Sequence, residues 1–126
     1  MTLEERYQHS YLMLQHWIEA LYLGHRVSEY FEEEGINNIA IYGMGDLANR
    51  LMDDLEQSNI IVNYGIDRDA AGTVCRMENI YSPEAQLPAT EAIVVTPFYS
   101  FETISDMLRE KTEARIISIE EVIWSL

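Results

Sequence analysis

The first 35 residues show the spacing of apolar side chains that is typical of helices. The apolar residues recur every three or four positions and share one helical stripe: Leu3, Tyr7, Tyr11, Leu14, Ile18 and Leu21. Met13 and Trp17 widen this stripe, and Gly24 ends the predicted helix. A second, short helix is indicated by the spacing of three apolar residues: Val27, Tyr30 and Phe31. Gly35 would end it, so residues 1–35 are predicted to form a helical hairpin.

From residue 36 the pattern changes to short apolar runs without polar alternation, as expected of buried parallel strands. Four runs are clear: residues 39–42, 60–66, 92–95 and 115–117. A weaker strand is predicted near Val74 or at Ile80 and Tyr81. Between and after these runs, the apolar residues have helical spacing, which predicts helices at residues 47–55, 101–108 and 118–124. The last of these helices begins with a capping-box sequence.

Strands that alternate with helices, and that are apolar throughout, predict an α/β fold with a parallel sheet covered on both faces. We expect a Rossmann-like three-layer sandwich with about five parallel strands in the order 3-2-1-4-5. The 126 residues are predicted to form a single domain, 1–126. Within it, the helical lead of residues 1–35 precedes an α/β nucleotide-binding-like unit of residues 36–126.

The charge balance narrows the classes of partner. Eight Lys and Arg residues against 22 Asp and Glu residues give a formal net charge of −14, which argues against binding to nucleic acid or to an anionic membrane surface. The polar, acidic start does not resemble a signal peptide, and no apolar run is long enough for a membrane span. The single cysteine, Cys75, cannot form an internal disulfide. A cytoplasmic location is therefore expected.

A glycine-rich segment follows the first predicted strand and opens the next predicted helix. It has the form G-x-G-x-x-A: Gly43, Met44, Gly45, Asp46, Leu47 and Ala48. Gly43 would allow a tight turn, Gly45 would let the backbone approach a diphosphate, and Ala48 would keep the helix near the strand. The N-terminus of that helix offers free N–H groups and a partial positive charge to an anion.

The end of the second strand supplies an acidic residue where dinucleotide-binding folds need one. Asp67 is placed to accept hydrogen bonds from a ribose, and this favours NAD over NADP, although the adjacent Arg68 is compatible with a 2′-phosphate. Thr96 and Pro97 follow the clearest strand and would face the same crevice. The next two aromatic residues, Phe98 and Tyr99, either flank a base or sugar there or pack into the core.

A purely structural interpretation of these residues remains open. In it the glycines serve packing, the Asp46 carboxylate caps the helix in place of a phosphate, and Asp67 is an exposed strand end. A metal held by the acidic sequence from Asp67 to Asp69 would need a larger domain. His9 and His16 lie seven residues apart and lack a clear third ligand, so no metal site is predicted.

The chain lacks the residues of several familiar catalytic sites. Lys111 is its only lysine, and no Tyr-x-x-x-Lys sequence is present, so the acid–base pair of short-chain dehydrogenases and epimerases cannot form. No phosphate-binding sequence of the P-loop type occurs, and the paired acids of phosphoacceptor receivers are absent. No catalytic residue is therefore assigned.

Several segments together resemble a family of small modules. They are Trp17 to Phe31, Ile36 to Ala48, Tyr64 to Asp67, Tyr81 to Glu84, and Ala92 to Pro97. Over nearly the whole chain they resemble the Rossmann-like modules of bacterial polysaccharide and capsule biosynthesis proteins, often described as nucleoside-diphosphate-sugar epimerase-like. The resemblance implies that Gly43, Gly45, Asp67 and the loop from Thr96 face a nucleotide. Ala48 stands where many members have Gly.

The resulting prediction is an accessory module that binds NAD(H) or a nucleotide-sugar in polysaccharide biosynthesis and is non-catalytic by itself. Two alternatives remain open: a structural or dimerisation module with a non-binding fold, and a ligand-sensing module. The apolar stripe of the first helix, with Trp17, is wider than a small sheet needs. It therefore predicts a homodimer, or a glycosyltransferase-type protein partner, through the N-terminal helices.

Overall fold

The structure is a computed structural model that describes residues 1–71 and 77–126. Two helices come first, and strands and helices then alternate. The helices are α1 (Leu3–Tyr22), α2 (Ser28–Glu33), α3 (Asp46–Leu55), α4 (Phe101–Arg109) and α5 (Ile119–Trp124), and a 3-10 turn lies at Phe98–Ser100. The strands are β1 (Asn38–Tyr42), β2 (Ile61–Ile66), β3 (Ile80–Tyr81), β4 (Ala92–Val95) and β5 (Arg115–Ser118).

The described strands form one parallel sheet in the order β3-β2-β1-β4-β5, which confirms the predicted order. At the carboxyl edge, Tyr42 of β1 is aligned with Ile66 of β2 on one side and with Val95 of β4 on the other. The loops that leave these three strands therefore start at the same edge. The weak strand lies at Ile80–Tyr81, and the alternative position near Val74 falls outside the described residues.

Both faces of the sheet are buried, which explains why its strands are apolar throughout. In β1, the side chains of Ile39 and Ile41 join one apolar cluster, and those of Ala40 and Tyr42 join another. The first cluster includes residues of α1, α2, α3 and α5, whereas the second includes Ile104 and Leu108 of α4.

The helix α1 contacts the body of the protein at one edge of its predicted apolar stripe, through the residues that widen it, and Leu14 and Leu21 of the stripe also pack against the core. Its buried residues are Met13, Trp17 and Ala20. By contrast, Tyr7, Tyr11 and Ile18 of the predicted stripe are 68%, 63% and 61% exposed, and Leu14 and Leu21 are half-buried.

One carboxylate joins three parts of the helical layer. Asp54 Oδ2 accepts a hydrogen bond from Trp17 Nε1 at 2.7 Å, and its Oδ1 accepts one from the Val27 backbone N–H at 3.2 Å. Asp54 belongs to α3, Trp17 to α1, and Val27 precedes α2. This pairing offsets the cost of burying the indole N–H.

α1 also packs along α5, and both of its histidines lie at this contact. His9 Nδ1 is 3.4 Å from Glu120 Oε1, and His16 Nε2 is 3.2 Å from the Leu126 carbonyl oxygen. The His16 ring lies 4.7 Å from the ring of Trp124, measured between centroids.

Among the described residues, no helix combines the length and apolar character needed to cross a membrane.

Candidate functional site

A crevice of about 330 Å³ opens at the carboxyl edge of the sheet, between the loops that follow β1 and β4. The strand order reverses between these strands, and open α/β sheets bind their ligands at such a switch point. Four sequence-predicted residues line it: Gly43, Asp67, Arg68 and Pro97. The other lining residues are Tyr42, Tyr99, Ser100, Thr103 and Ile104. The cavity volume lies at the lower end of the range for small-molecule sites.

Gly43 forms the floor of this crevice in a conformation that requires glycine. Its φ angle is +87°, and its N–H donates a 2.8 Å hydrogen bond to the Ile66 carbonyl. A Cβ atom at this position would lie 2.6 Å from Thr96 Oγ1 and 2.8 Å from Pro97 Cδ. The tight turn predicted from the sequence is therefore present, and the loop after β4 packs directly on it.

Thr96 does not line the crevice, although the sequence predicted that it would face a ligand. The residue is buried, and its hydroxyl lies 3.0 Å from the Tyr42 carbonyl oxygen and 2.8 Å from the Gly43 carbonyl oxygen. Its backbone N–H also donates to Tyr42 O at 3.0 Å. Thr96 therefore joins the end of β4 to the glycine bend and supports the crevice from below.

Asp67 occupies the predicted position at the end of β2, and both of its carboxylate oxygens accept backbone hydrogen bonds. Oδ2 accepts from the Met44 N–H at 2.8 Å, and Oδ1 accepts from the Asp69 N–H at 2.9 Å. The carboxylate thus connects the loop after β2 with the bend after β1. Each oxygen has a second lone pair, so the group keeps capacity to accept from a ribose hydroxyl.

Met44 offers a ligand neither its side chain nor its N–H. The N–H is donated to Asp67, and the buried side chain covers Gly65 of β2, where a Cβ atom would lie 2.6 Å from Met44 Sδ. In the predicted set of site residues, Met44 is therefore a packing residue. Its thioether fills the space that the missing side chain of Gly65 leaves beneath the bend.

The N-terminus of α3 lies next to the bend and is not closed by a side chain. Gly45 is the N-cap residue, no side chain of the described residues caps the helix, and a Cβ atom at Gly45 would meet nothing within 4 Å. Asp46 is exposed at the first helical position, so the alternative in which its carboxylate caps the helix is wrong. Neither Gly45 nor Asp46 lines the crevice itself.

The two aromatic residues after β4 have different roles. Phe98 is buried in the core cluster, whereas Tyr99 is 43% exposed and lines the crevice. The Arg6 guanidinium of α1 lies 4.0 Å from the centroid of the Tyr99 ring, within cation–π range. Sequence reasoning missed this contact, since an arginine on the first helix carries no signal of a partner 93 positions away. It also missed Ser100 and Thr103, which lie in no recognisable motif.

Arg68 supplies positive charge at the rim of the crevice, and its influence extends to a neighbouring acid. The pKa of the exposed Glu84 carboxyl is lowered, first by its hydrogen bond from the Ser82 hydroxyl and by its own backbone N–H, and further by the charges of Lys111 and Arg68. Lys111 Nζ donates to the carbonyl oxygens of Pro83 and Ala85, which anchors the turn containing Glu84.

Within residues 1–71 and 77–126, no group of three or more His, Cys, Asp or Glu side chains is arranged to hold a metal ion. Cys75 lies outside the described residues. The described residues that line the crevice present backbone groups, the Arg68 guanidinium, the Asp67 carboxylate, hydroxyl groups and the aromatic ring of Tyr99. This set of groups is suited to binding.

No family model, curated protein or solved structure matches this chain. The resemblance to modules of polysaccharide biosynthesis proteins stays a prediction.

Proposed function

We propose that this protein is an accessory nucleotide-binding module whose crevice takes NAD(H) or a nucleotide-sugar without transforming it. The observation that supports this proposal is the crevice of about 330 Å³ at the switch point between β1 and β4, which Gly43, Asp67 and Arg68 help to line. In this proposal the fold is a Rossmann-like three-layer sandwich, and the glycine bend is its phosphate-binding turn.

The groups at the crevice match the parts of a nucleotide. Beside the crevice, the uncapped N-terminus of α3 and the open space at Gly45 would admit a diphosphate that extends over the rim, with Arg68 as its counter-charge. The remaining lone pairs of Asp67 accept from a ribose hydroxyl, and Tyr99 provides an aromatic surface for a base or sugar. The volume fits one nucleotide half, and the rest of a larger ligand would lie over the rim.

The proposal assigns no chemical step to these residues. Among the described residues that line the crevice there is no histidine, lysine or cysteine, and the one carboxylate among them, that of Asp67, already accepts two backbone hydrogen bonds. A general acid or base needs a group free to exchange a proton with the substrate. A role in polysaccharide biosynthesis and a cytoplasmic location belong to the proposal through the sequence resemblance and composition.

A thermal-shift series with NAD(H), NADP(H), UDP-sugars, coenzyme A and S-adenosylmethionine tests the proposal. A ligand at about 100 times its dissociation constant stabilises the folded state by about 2.7 kcal/mol, which is roughly 10 °C for a chain of this size. We expect such a shift with NAD(H) or a UDP-sugar. The absence of any shift at millimolar concentrations of all of these ligands would refute nucleotide binding.

Matched variants locate the site. Arg68→Gln is expected to weaken binding about tenfold through loss of the counter-charge, whereas Arg109→Gln, which removes the same charge from the exposed end of α4, leaves it unchanged. Gly45→Ala fills open space without a steric clash and costs about 1 kcal/mol as a change of N-cap residue, so it should leave the unliganded protein folded and weaken binding. Equal affinities for Arg68→Gln and Arg109→Gln would place the ligand elsewhere.

A specific observation favours the alternative of a structural module with a non-binding fold. The Met44 N–H, a bend donor, is already paired with Asp67, and the Thr96 hydroxyl is also satisfied within the protein. If no nucleotide binds and Gly45→Ala is silent in every assay, the glycine bend serves packing alone. The ligand-sensing alternative instead predicts a change of oligomer size on addition of the nucleotide.

A further inference from the structure

We propose that Arg6 of α1 is a positioning residue for the nucleotide crevice and acts on the ligand through the ring of Tyr99. The Arg6 Cζ atom lies over this ring, 4.0 Å from its centroid. Tyr99 lines the crevice, whereas Arg6 is not among the described residues that line it. This inference rests on the proposed nucleotide binding and adds to it a residue that sets the shape of the site.

The Arg6 side chain has few partners other than this ring. Among the described residues, its buried Nε atom has no hydrogen-bond partner and its guanidinium forms no ion pair. By contrast, Arg50, Arg109 and Arg115 each pair with a carboxylate. In a chain with 22 Asp and Glu residues, an arginine that lies on an aromatic ring and on no carboxylate indicates that the ring contact is what holds its guanidinium.

The position of the Tyr99 ring depends on two contacts. Besides the guanidinium, the ring meets the ring of Phe98, with 5.5 Å between the centroids and 77° between the planes. The Tyr99 hydroxyl has no hydrogen bond within the part of the chain that the structure describes. Phe98 is held by the core, so Arg6 supplies the remaining restraint, and without it the Tyr99 side chain can change rotamer.

Helix α1 brings the arginine to this loop through two neighbouring residues on one side of the helix. His9 follows Arg6 by three positions, and its ring is stacked 6.2 Å from the ring of Phe98. His9 Nδ1 also lies 3.4 Å from Glu120 Oε1. The two residues therefore contact the two consecutive aromatic residues after β4, which keeps the guanidinium above the Tyr99 ring.

The Tyr99 ring lies on the boundary between the crevice and a second cavity of about 560 Å³. The two cavities share Tyr99, Ser100 and Thr103. The second cavity is also lined by three acidic residues: Glu102, Glu120 and Glu121. Since carboxylates repel phosphates, a Tyr99 ring that is held in place keeps an anionic ligand on the side of Arg68. The ring thus provides an aromatic surface and confines the ligand.

Isothermal titration calorimetry with NAD⁺ and with UDP-glucose tests this role. For the ligand that binds the unsubstituted protein, Arg6→Gln should weaken binding about fivefold, within the range for ordering one more side chain on binding. Arg109→Gln removes the same charge from the exposed end of α4 and should leave the affinity unchanged. In a Tyr99→Leu background, Arg6→Gln should change the affinity by less than about 1.5-fold, because the ring through which Arg6 acts is absent.

A second measurement follows the Tyr99 ring itself and needs no ligand. In protein labelled with 3-fluorotyrosine, the ¹⁹F resonance of Tyr99 is assigned by its loss in Tyr99→Phe. We expect this resonance to move in Arg6→Gln and to stay in place in Arg109→Gln. Unchanged resonances of the buried Tyr42 and Tyr64 verify that the Arg6 variant keeps its fold.

The outcomes separate the two proposals. Equal affinities of Arg6→Gln and the unsubstituted protein, or an unmoved Tyr99 resonance, would overturn the positioning role and leave nucleotide binding standing. A loss that persists in the Tyr99→Leu background would also overturn it, because Arg6 would then act on the phosphates through its charge. If the unsubstituted protein binds neither ligand, the proposed function fails, and the role of Arg6 fails with it.

Discussion

Replacing Gly43 with alanine perturbs the floor of the crevice in two separable ways. The φ angle of +87° is one that side chains other than glycine rarely adopt, and the new Cβ would lie 2.6 Å from Thr96 Oγ1 and 2.8 Å from Pro97 Cδ. Neither neighbour is the free end of a flexible chain, since the Thr96 hydroxyl is hydrogen-bonded and the Pro97 ring is fixed to the backbone. The strain cannot be relieved by a local side-chain rotation.

The size of the effect follows from a comparison with Gly24. Gly24 has a φ angle of +91°, but a Cβ atom there would meet nothing within 4 Å. Gly24→Ala therefore carries the backbone cost alone, about 1–2 kcal/mol. Gly43→Ala carries the same cost plus overpacking of about 1–3 kcal/mol, so we expect a total loss of about 2–5 kcal/mol. The effect of alanine on the unfolded chain is common to both and cancels in the difference.

Urea unfolding followed by circular dichroism measures both variants against the unsubstituted protein. The midpoints should fall in the order unsubstituted, Gly24→Ala, Gly43→Ala, with unchanged slopes, because a change in slope would signal a change in compactness. Equal losses for Gly24→Ala and Gly43→Ala would refute the close packing of the β4 loop on the bend. It would also remove the physical reason for glycine at the crevice floor.

Two further predictions concern the hydrogen bonds of the helical layer. Asp54→Ala should lower the free energy of unfolding by about 2–3 kcal/mol, because it leaves the Trp17 indole N–H without its acceptor. The control is Asp106→Ala on the exposed side of α4, which should change the free energy of unfolding by less than about 0.5 kcal/mol in the same urea assay. Burial, and then the hydrogen bond to Glu121, raise the pKa of Tyr30, so the folded state retains this proton above pH 10 where the unfolded chain loses it. Stability should therefore fall as pH rises above about 10, by up to about 1.4 kcal/mol per pH unit from this group, and Tyr30→Phe should make that decline shallower; an unchanged decline would contradict the assignment.

The strand order was predictable because it depends on local patterns. Continuous apolar runs identified the strands, helical spacing between them required parallel crossovers, and the glycine segment after β1 set the expected topology. Gly43 and Asp67 were placed at the sheet edge for the same reason. Their environment is local to the ends of two adjacent strands.

What the sequence did not reveal depends on contacts between distant segments. Helical spacing located the apolar stripe of α1 and its widening by Met13 and Trp17. It did not show which edge of the stripe is buried, and the hydrogen bond from Trp17 to Asp54 of α3 lies at the buried edge. The hydrogen bond from the Met44 N–H to Asp67 could not be predicted either. The sequence places an aspartate at the end of β2, but it does not show whether a backbone N–H or a ribose hydroxyl donates to its carboxylate.

The double engagement of Asp67 has a consequence for how the crevice meets a ligand. One side chain holds the backbone of two loops that leave neighbouring strands, through Met44 on one side and Asp69 on the other. The walls of the crevice are thus preorganised, and a ligand that binds there loses little affinity to the cost of ordering them. Any ligand that drew the carboxylate away would release both loops at once, so recognition and the rigidity of the rim are thermodynamically coupled.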